Sequence, residues 1–163
     1  MLFRSNAASL TVPATVRNGG ITYKVTAVGA KAARNNKKLK KVKIGKNVLS
    51  IGKQAFYGCR KLKTLTIGKK VTSIGTQAFM KCTALKKVTL PASVKKIGKK
   101  AFYGDKKLSS ITIKTKLLKS GNVGSSAFRG TYKKAVVKVP KKVKKAYKKL
   151  LVKKGLNKKA KIK

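Results

Sequence analysis

Cys59 and Cys82 recur 23 residues apart (82 − 59), and with Asp105 they nearly exhaust the side chains here that could ligate metal or move protons. A hydrolytic or acid–base site needs a paired carboxylate, a His, or a nucleophile oriented by one. The chain has no His and a single acidic residue, Asp105, so it can assemble none of these. Zinc wants three or four Cys, His or acidic ligands, and calcium wants a cage of oxygens. Two Cys and one Asp supply neither, so no catalytic residue, metal or cofactor is expected. Ser and Lys are plentiful, but no spacing singles out a Ser–Lys dyad. The two thiols read either as small buried groups at a turn or as a disulfide between neighbouring units, if their side-chain vectors allow it.

What the chain does carry is cation. Lys and Arg number 45, giving a formal net charge of +44. Only Arg4, Arg17, Arg34, Arg60 and Arg129 are Arg. Lys is a hydrated point charge, whereas Arg makes planar bidentate contacts, so this surface suits diffuse attraction to polyanions better than base-by-base reading of DNA. A hydrophobic fraction of 42% argues against charge-driven disorder. With one acid, salt bridges cannot hold the fold, and core burial must offset the self-repulsion.

The elements that position these groups follow from internal repetition. Residues 39–61 read LKKVKIGKNVLSIGKQAFYGCRK, residues 62–84 read LKTLTIGKKVTSIGTQAFMKCTA, and residues 85–107 read LKKVTLPASVKKIGKKAFYGDKK. The period is 23 residues (62 − 39 and 85 − 62), without a gap. A fourth unit begins at Leu108, keeps Ile111, Ile113 and Ala127-Phe128, and carries about three extra residues around Lys119-Ser120-Gly121-Asn122. Before Leu39, Val25, Val28-Gly29 and Ala32-Ala33 mark a degenerate unit, and Arg17-Asn18-Gly19-Gly20 is a hairpin turn signal. After it come a last strand, Ala135–Val139, and a helix from Val143 to Lys154 stopped by Gly155. One domain is expected over 1–163: a degenerate N-terminal unit with a hairpin (1–38), three regular repeats (39–107), an irregular repeat (108–131), and a last strand with capping helix (132–163).

Within a unit, period-2 alternation points Val42 and Ile44 inward and Lys41 and Lys43 outward. Val48, Ile51, Ala55 and Phe56 form the return path, with Gly45 and Gly52 allowing tight backbone turns. Stacking then predicts ladders of like residues, including a Phe ladder of Phe56, Phe79, Phe102 and Phe128 as a core spine. It also predicts two outward rows, the candidate binding surface: Lys41, Thr64, Lys87 and Ser110, and beside them Lys43, Thr66, Thr89 and Thr112. Tyr57 and Tyr103 follow core Phe residues and fall at the rim. Lys46, Lys69, Lys70, Lys95, Lys96, Lys99 and Lys100 fall on the return side, so the charge wraps the array.

The repeated Leu-x-x-Val-x-Ile-Gly followed by Val-x-x-Ile-Gly-x-x-Ala-Phe-x-x-Cys resembles the BspA-like class of bacterial leucine-rich repeats, from about Val25 to Phe128. The segment from Val139-Pro140 through Tyr147 to Gly155-Leu156 also looks like the end of such arrays. Ala33 stands where the pattern has Phe, and Asn36 and Asp105 where it has Cys. The resemblance implies an α/β repeat, a right-handed solenoid with a parallel β-sheet on one face. It implies a secreted or wall-attached adhesin-type interaction module whose partner is a protein, a glycan or a polyanionic cell-wall polymer. The alternatives are non-specific nucleic-acid binding through charge and a structural spacer. No helix-turn-helix, RNA-recognition or zinc-finger motif supports the nucleic-acid reading. No stretch is long and apolar enough to span a membrane, and Met1-Leu2-Phe3-Arg4-Ser5 lacks the apolar run of a signal peptide. The expected location is extracellular or wall-associated, as part of a longer chain.

Overall fold

The computed structural model describes residues 7–163; the Met1–Ser5 stretch lies outside the described residues. The chain winds as a β-solenoid of stacked rungs. Strands β1 (Ser9–Thr11), β2 (Thr15–Asn18), β3 (Ile21–Lys24) and β4 (Ala27–Val28) precede the regular units. The units contribute β5 (Lys41–Lys43), β6 (Ser50–Ile51), β7 (Thr64–Thr66), β8 (Ser73–Ile74), β9 (Lys87–Leu90) and β10 (Lys96–Ile97). Then follow β11 (Ser110–Ile113), β12 (Val136–Lys138), a short 3-10 turn at Lys141–Val143, helix α1 (Lys144–Lys153) and β13 (Lys161–Ile162).

One face is the expected parallel sheet, made of β1-β5-β7 and of β9-β11-β12-β13. The return path forms a second parallel ladder, β4-β6-β8-β10, of two-residue strands. The third side is a stack of turns carrying the Ala-Phe pairs. Leucines 39, 62, 85 and 108 are fully buried, as expected of residues that touch rungs above and below. The hairpin β2–β3 turns at Gly19 and Gly20, with φ of 54° and 79°. Such values suit a residue without a Cβ.

Gly45 and Gly52 serve a purpose other than the turning role expected of them. A Cβ on Gly45 would lie 2.6 Å from the Pro13 carbonyl, and one on Gly52 would lie 2.6 Å from the Ala30 nitrogen. They are needed because successive rungs approach backbone to backbone. One left-handed turn position in each unit falls on a non-glycine residue one step before the Ala, namely Lys31, Gln54, Gln77, Lys100 and Ser126, all with φ near 56°; a second, four residues on, falls on Asn35, Gly58, Lys81, Gly104 and Gly130. Between two of these turns Gln54 Nε2 donates to Gln77 Oε1 at 2.7 Å.

The ends differ from the middle. At the C-terminus α1 buries Tyr147 and Leu151 on the last rung. The Tyr147 hydroxyl donates to Thr115 O and accepts from Leu118 N–H, both at 3.0 Å. Those bonds tie the helix to the irregular fourth unit. Asn122 closes that unit's extra loop, accepting from Lys119 N–H at 2.7 Å and donating to Leu117 O at 3.0 Å. No helix among the described residues is long and apolar enough to cross a membrane.

Candidate interaction surface

The outward rows of the sheet are held by strand register. Lys41 pairs with Thr64 and Lys43 with Thr66 across β5–β7. Lys87 pairs with Ser110 and Thr89 with Thr112 across β9–β11. Their inward neighbours Val42, Val88 and Ile111 are buried. That burial fixes which face the row residues take, because a one-residue slip would invert every side chain. Lys41, Lys43, Thr64, Thr66, Lys87 and Thr89 are exposed, while Ser110 and Thr112 are half-buried.

Members at each end were missed in the sequence. Ser9 and Thr11 extend the rows below Lys41 and Lys43; Lys138 extends one row beyond Thr112, and the other passes from Ser110 through the apolar Val136 to Lys161. β1 is an alternating Ser-Leu-Thr whose only cue is Leu10 between two polar residues. β13 has two residues, too short for any period to register.

The Phe residues stack through the core. Ring centroids of Phe56, Phe79, Phe102 and Phe128 are 5.4, 5.4 and 5.7 Å apart, with interplanar angles of 10° or less. All four are buried, so they offer no platform to a ligand. Tyr57 and Tyr103 are half-buried, and each carries a cation over its ring: Arg34 at 5.3 Å and Lys100 at 5.5 Å.

The groups of greatest chemical interest lie inside. Cys59 and Cys82 are free, buried thiols, bonded to Ala33 O at 3.0 Å and Phe56 O at 3.2 Å. Burial pushes the Cys59 thiol up to about 11 and raises the Cys82 thiol well above its ordinary value, so neither is a nucleophile at neutral pH. Asp105 takes the same position one rung on. Its Oδ1 accepts the Cys82 N–H at 2.8 Å, and its Oδ2 has no partner. Burial raises its pKa well above the usual carboxylate range. No group of three or more His, Cys, Asp or Glu clusters among the described residues.

A family model described as BspA type leucine-rich repeat region matches residues 26–156 in six copies. No curated protein matches the chain. Among solved structures, a leucine-rich repeat protein of T. pallidum is 27% identical with a TM-score of 0.69, the likeness covering 83% of this chain and 60% of that one. A leucine-rich repeat protein from Bacteroides capillosus is 31% identical with a TM-score of 0.61, covering 67% and 78% respectively. A leucine rich cell surface protein from Faecalibacterium prausnitzii is similar in fold, at 24% identity and a TM-score of 0.54 over 83% of this chain and 48% of that one. The chain therefore spans 60% of the length of the T. pallidum protein.

Proposed function

Because the chain belongs to the BspA-type leucine-rich repeat family, we propose that it is a non-enzymatic interaction module that presents its parallel-sheet face to a partner at the cell surface. The partner class is a protein or a polyanionic glycan or cell-wall polymer. The observation that carries the reading is the pair of registered polar rows, one through Lys41 and Thr64 and one through Lys43 and Thr66. They place cations and hydroxyls at one-strand intervals on a surface held rigid by the stack beneath. A regular array of donors on a fixed lattice suits a linear partner with repeating acceptors. The likeness to a cell surface protein supports an extracellular setting.

The experiment is a panel of sulfated glycan, teichoic acid, acidic protein and duplex DNA at two salt concentrations. Two variants of equal charge are compared with the native chain: Lys41, Lys43 and Lys87 changed to Gln, and Lys95, Lys96 and Lys99 changed to Gln. Selective binding that survives about 0.5 M salt and is lost only in the first variant is expected, because charge-only binding decays steeply with salt. Binding that fades alike for every polyanion, DNA included, and alike in both variants, would leave charge as the whole explanation.

A further inference from the structure

A helix closes the last rung, and the two do not fit flush. Successive rungs lie at strand spacing, roughly 4.8 Å, whereas a helix is about 10 Å across. Helix α1 meets the fourth unit beside the segment that departs most from the repeat, the extra residues around Lys119-Ser120-Gly121-Asn122. Between that loop and α1 lies a cleft of about 380 Å³. Small-molecule sites run from about 300 to 1,000 Å³. The buried Leu118 and Tyr147 form its floor, and Ala146 and Leu150 line its helix side. None of these residues belongs to the rows of the sheet face.

Both walls are pinned. The bonds of the Tyr147 hydroxyl to Thr115 O and from Leu118 N–H fix the helix side, and Asn122 fixes the loop through Lys119 N–H and Leu117 O. The same bonds take up the Tyr147 proton and the Leu118 amide, so the floor presents a ring and aliphatic carbon and no free donor. The mouth is cationic. Lys119, Lys149 and Lys153 border the cleft and are exposed. Lys149 and Lys153 stand four apart on α1, a like-charge spacing that destabilises a helix unless an anion answers it. The chain's one acid, Asp105, is buried against Cys82 and cannot do so. The counter-charge must come from outside.

We propose that this cleft binds a single-chain anionic amphiphile, a fatty carboxylate or an alkyl phosphate. The tail lies on Leu118, Tyr147 and Leu150, and the headgroup sits among Lys119, Lys149 and Lys153. A neutral sugar would press its hydroxyls on a floor that cannot bond them. A polyanion without a tail would leave the apolar floor wet. A second copy of this chain would bring lysines to lysines. At a net charge of +44 the whole surface attracts anions; the tail is what selects this place. The site stands whether or not the sheet face binds a partner.

The test titrates the full chain with dodecyl phosphate and with dodecanoate, below micelle formation and at about 0.3 M salt to screen diffuse attraction. Amide shifts at Leu118 and Leu150 report the site, and the two headgroups tell a phosphate from a carboxylate preference. Shortening the tail to decyl and octyl should weaken binding roughly two- to fourfold per methylene. Ala146→Phe fills the cleft from an exposed helix position at unchanged charge and should weaken binding about tenfold. Ala146→Leu fills it less, suits a helix, and decides the matter if the Phe variant does not fold. Lys119, Lys149 and Lys153 changed to Gln should also weaken binding about tenfold, whereas Lys142, Lys144 and Lys148 changed to Gln, equal in charge but off the cleft, should leave it within about twofold. Octyl and dodecyl chains binding alike, native-strength binding in a folded Ala146 variant, or equal losses in the two lysine triples overturns the proposal.

Discussion

Asp105 Oδ1 accepts the backbone N–H of Cys82, one rung away, while its Oδ2 faces the core with no partner. This is the chain's one acidic residue against 45 Lys and Arg, and it forms no ion pair among the described residues. It occupies the place of the thiols, whose Sγ atoms each bond a carbonyl 26 residues back, Cys59 to Ala33 and Cys82 to Phe56. A protonated carboxyl imitates that arrangement; a carboxylate does not.

The pH dependence of stability follows from this. With no His and a single carboxylic side chain in the sequence, Asp105 is the side chain that carries the acid-to-neutral pH dependence. Its folded pKa is raised above the unfolded value of about 3.9. The folded state therefore binds the proton more tightly, and the stability present below about pH 4 is lost as pH rises. Urea midpoints at pH 4, 6 and 8 should fall in that order. Asp105→Asn should flatten the profile and gain about 1–3 kcal/mol at pH 7 by removing the unmet acceptor. A native midpoint that climbs from pH 4 to 7 would contradict the assignment.

Salt should stabilise this fold. The exposed lysines repel one another, and no ion pair among the described residues is weakened by screening. The melting temperature should rise between about 0.01 and 0.3 M salt, as the Debye length falls from about 30 Å toward a few ångströms. A drop over that range would show that cation repulsion is not the dominant long-range term.

Phe79→Ala should be the most damaging truncation in the Phe ladder. Phe79 stacks at 5.4 Å on both Phe56 and Phe102, whereas Phe128 has a ring partner on one side. A cost of about 3–5 kcal/mol is expected, with the whole domain unfolding in one transition. Denaturant melts of Phe79→Ala and Phe128→Ala side by side test the ranking.

Most of the fold was legible because a 23-residue repeat states the same physical requirement three times running. Leu39, Val42, Ile44 and Phe56 mark inward positions that no isolated unit could bury. The outward rows followed from the strand alternation and inherit its register. Legibility failed where a role depends on contact between rungs. Gly45 and Gly52 looked like turn formers, yet it is the neighbouring rung that forbids their Cβ, and no single-unit pattern carries that information. Pro91 was visible as a Gly-to-Pro exchange within the repeat, but the missing ladder between β7 and β9 beside it was not. β1 and β13 were too short for periodicity to mark them against the Lys-rich background.

The open seam between β7 and β9 also sets how such a domain would bear load. Tension along the solenoid axis passes from rung to rung through bonds that share it side by side. At every other junction between regular units the sheet ladder takes part; at this one the strain falls on the return ladder and the turn stack alone. In flow, or tethered between two surfaces, the array has a weakest plane built in between β7 and β9.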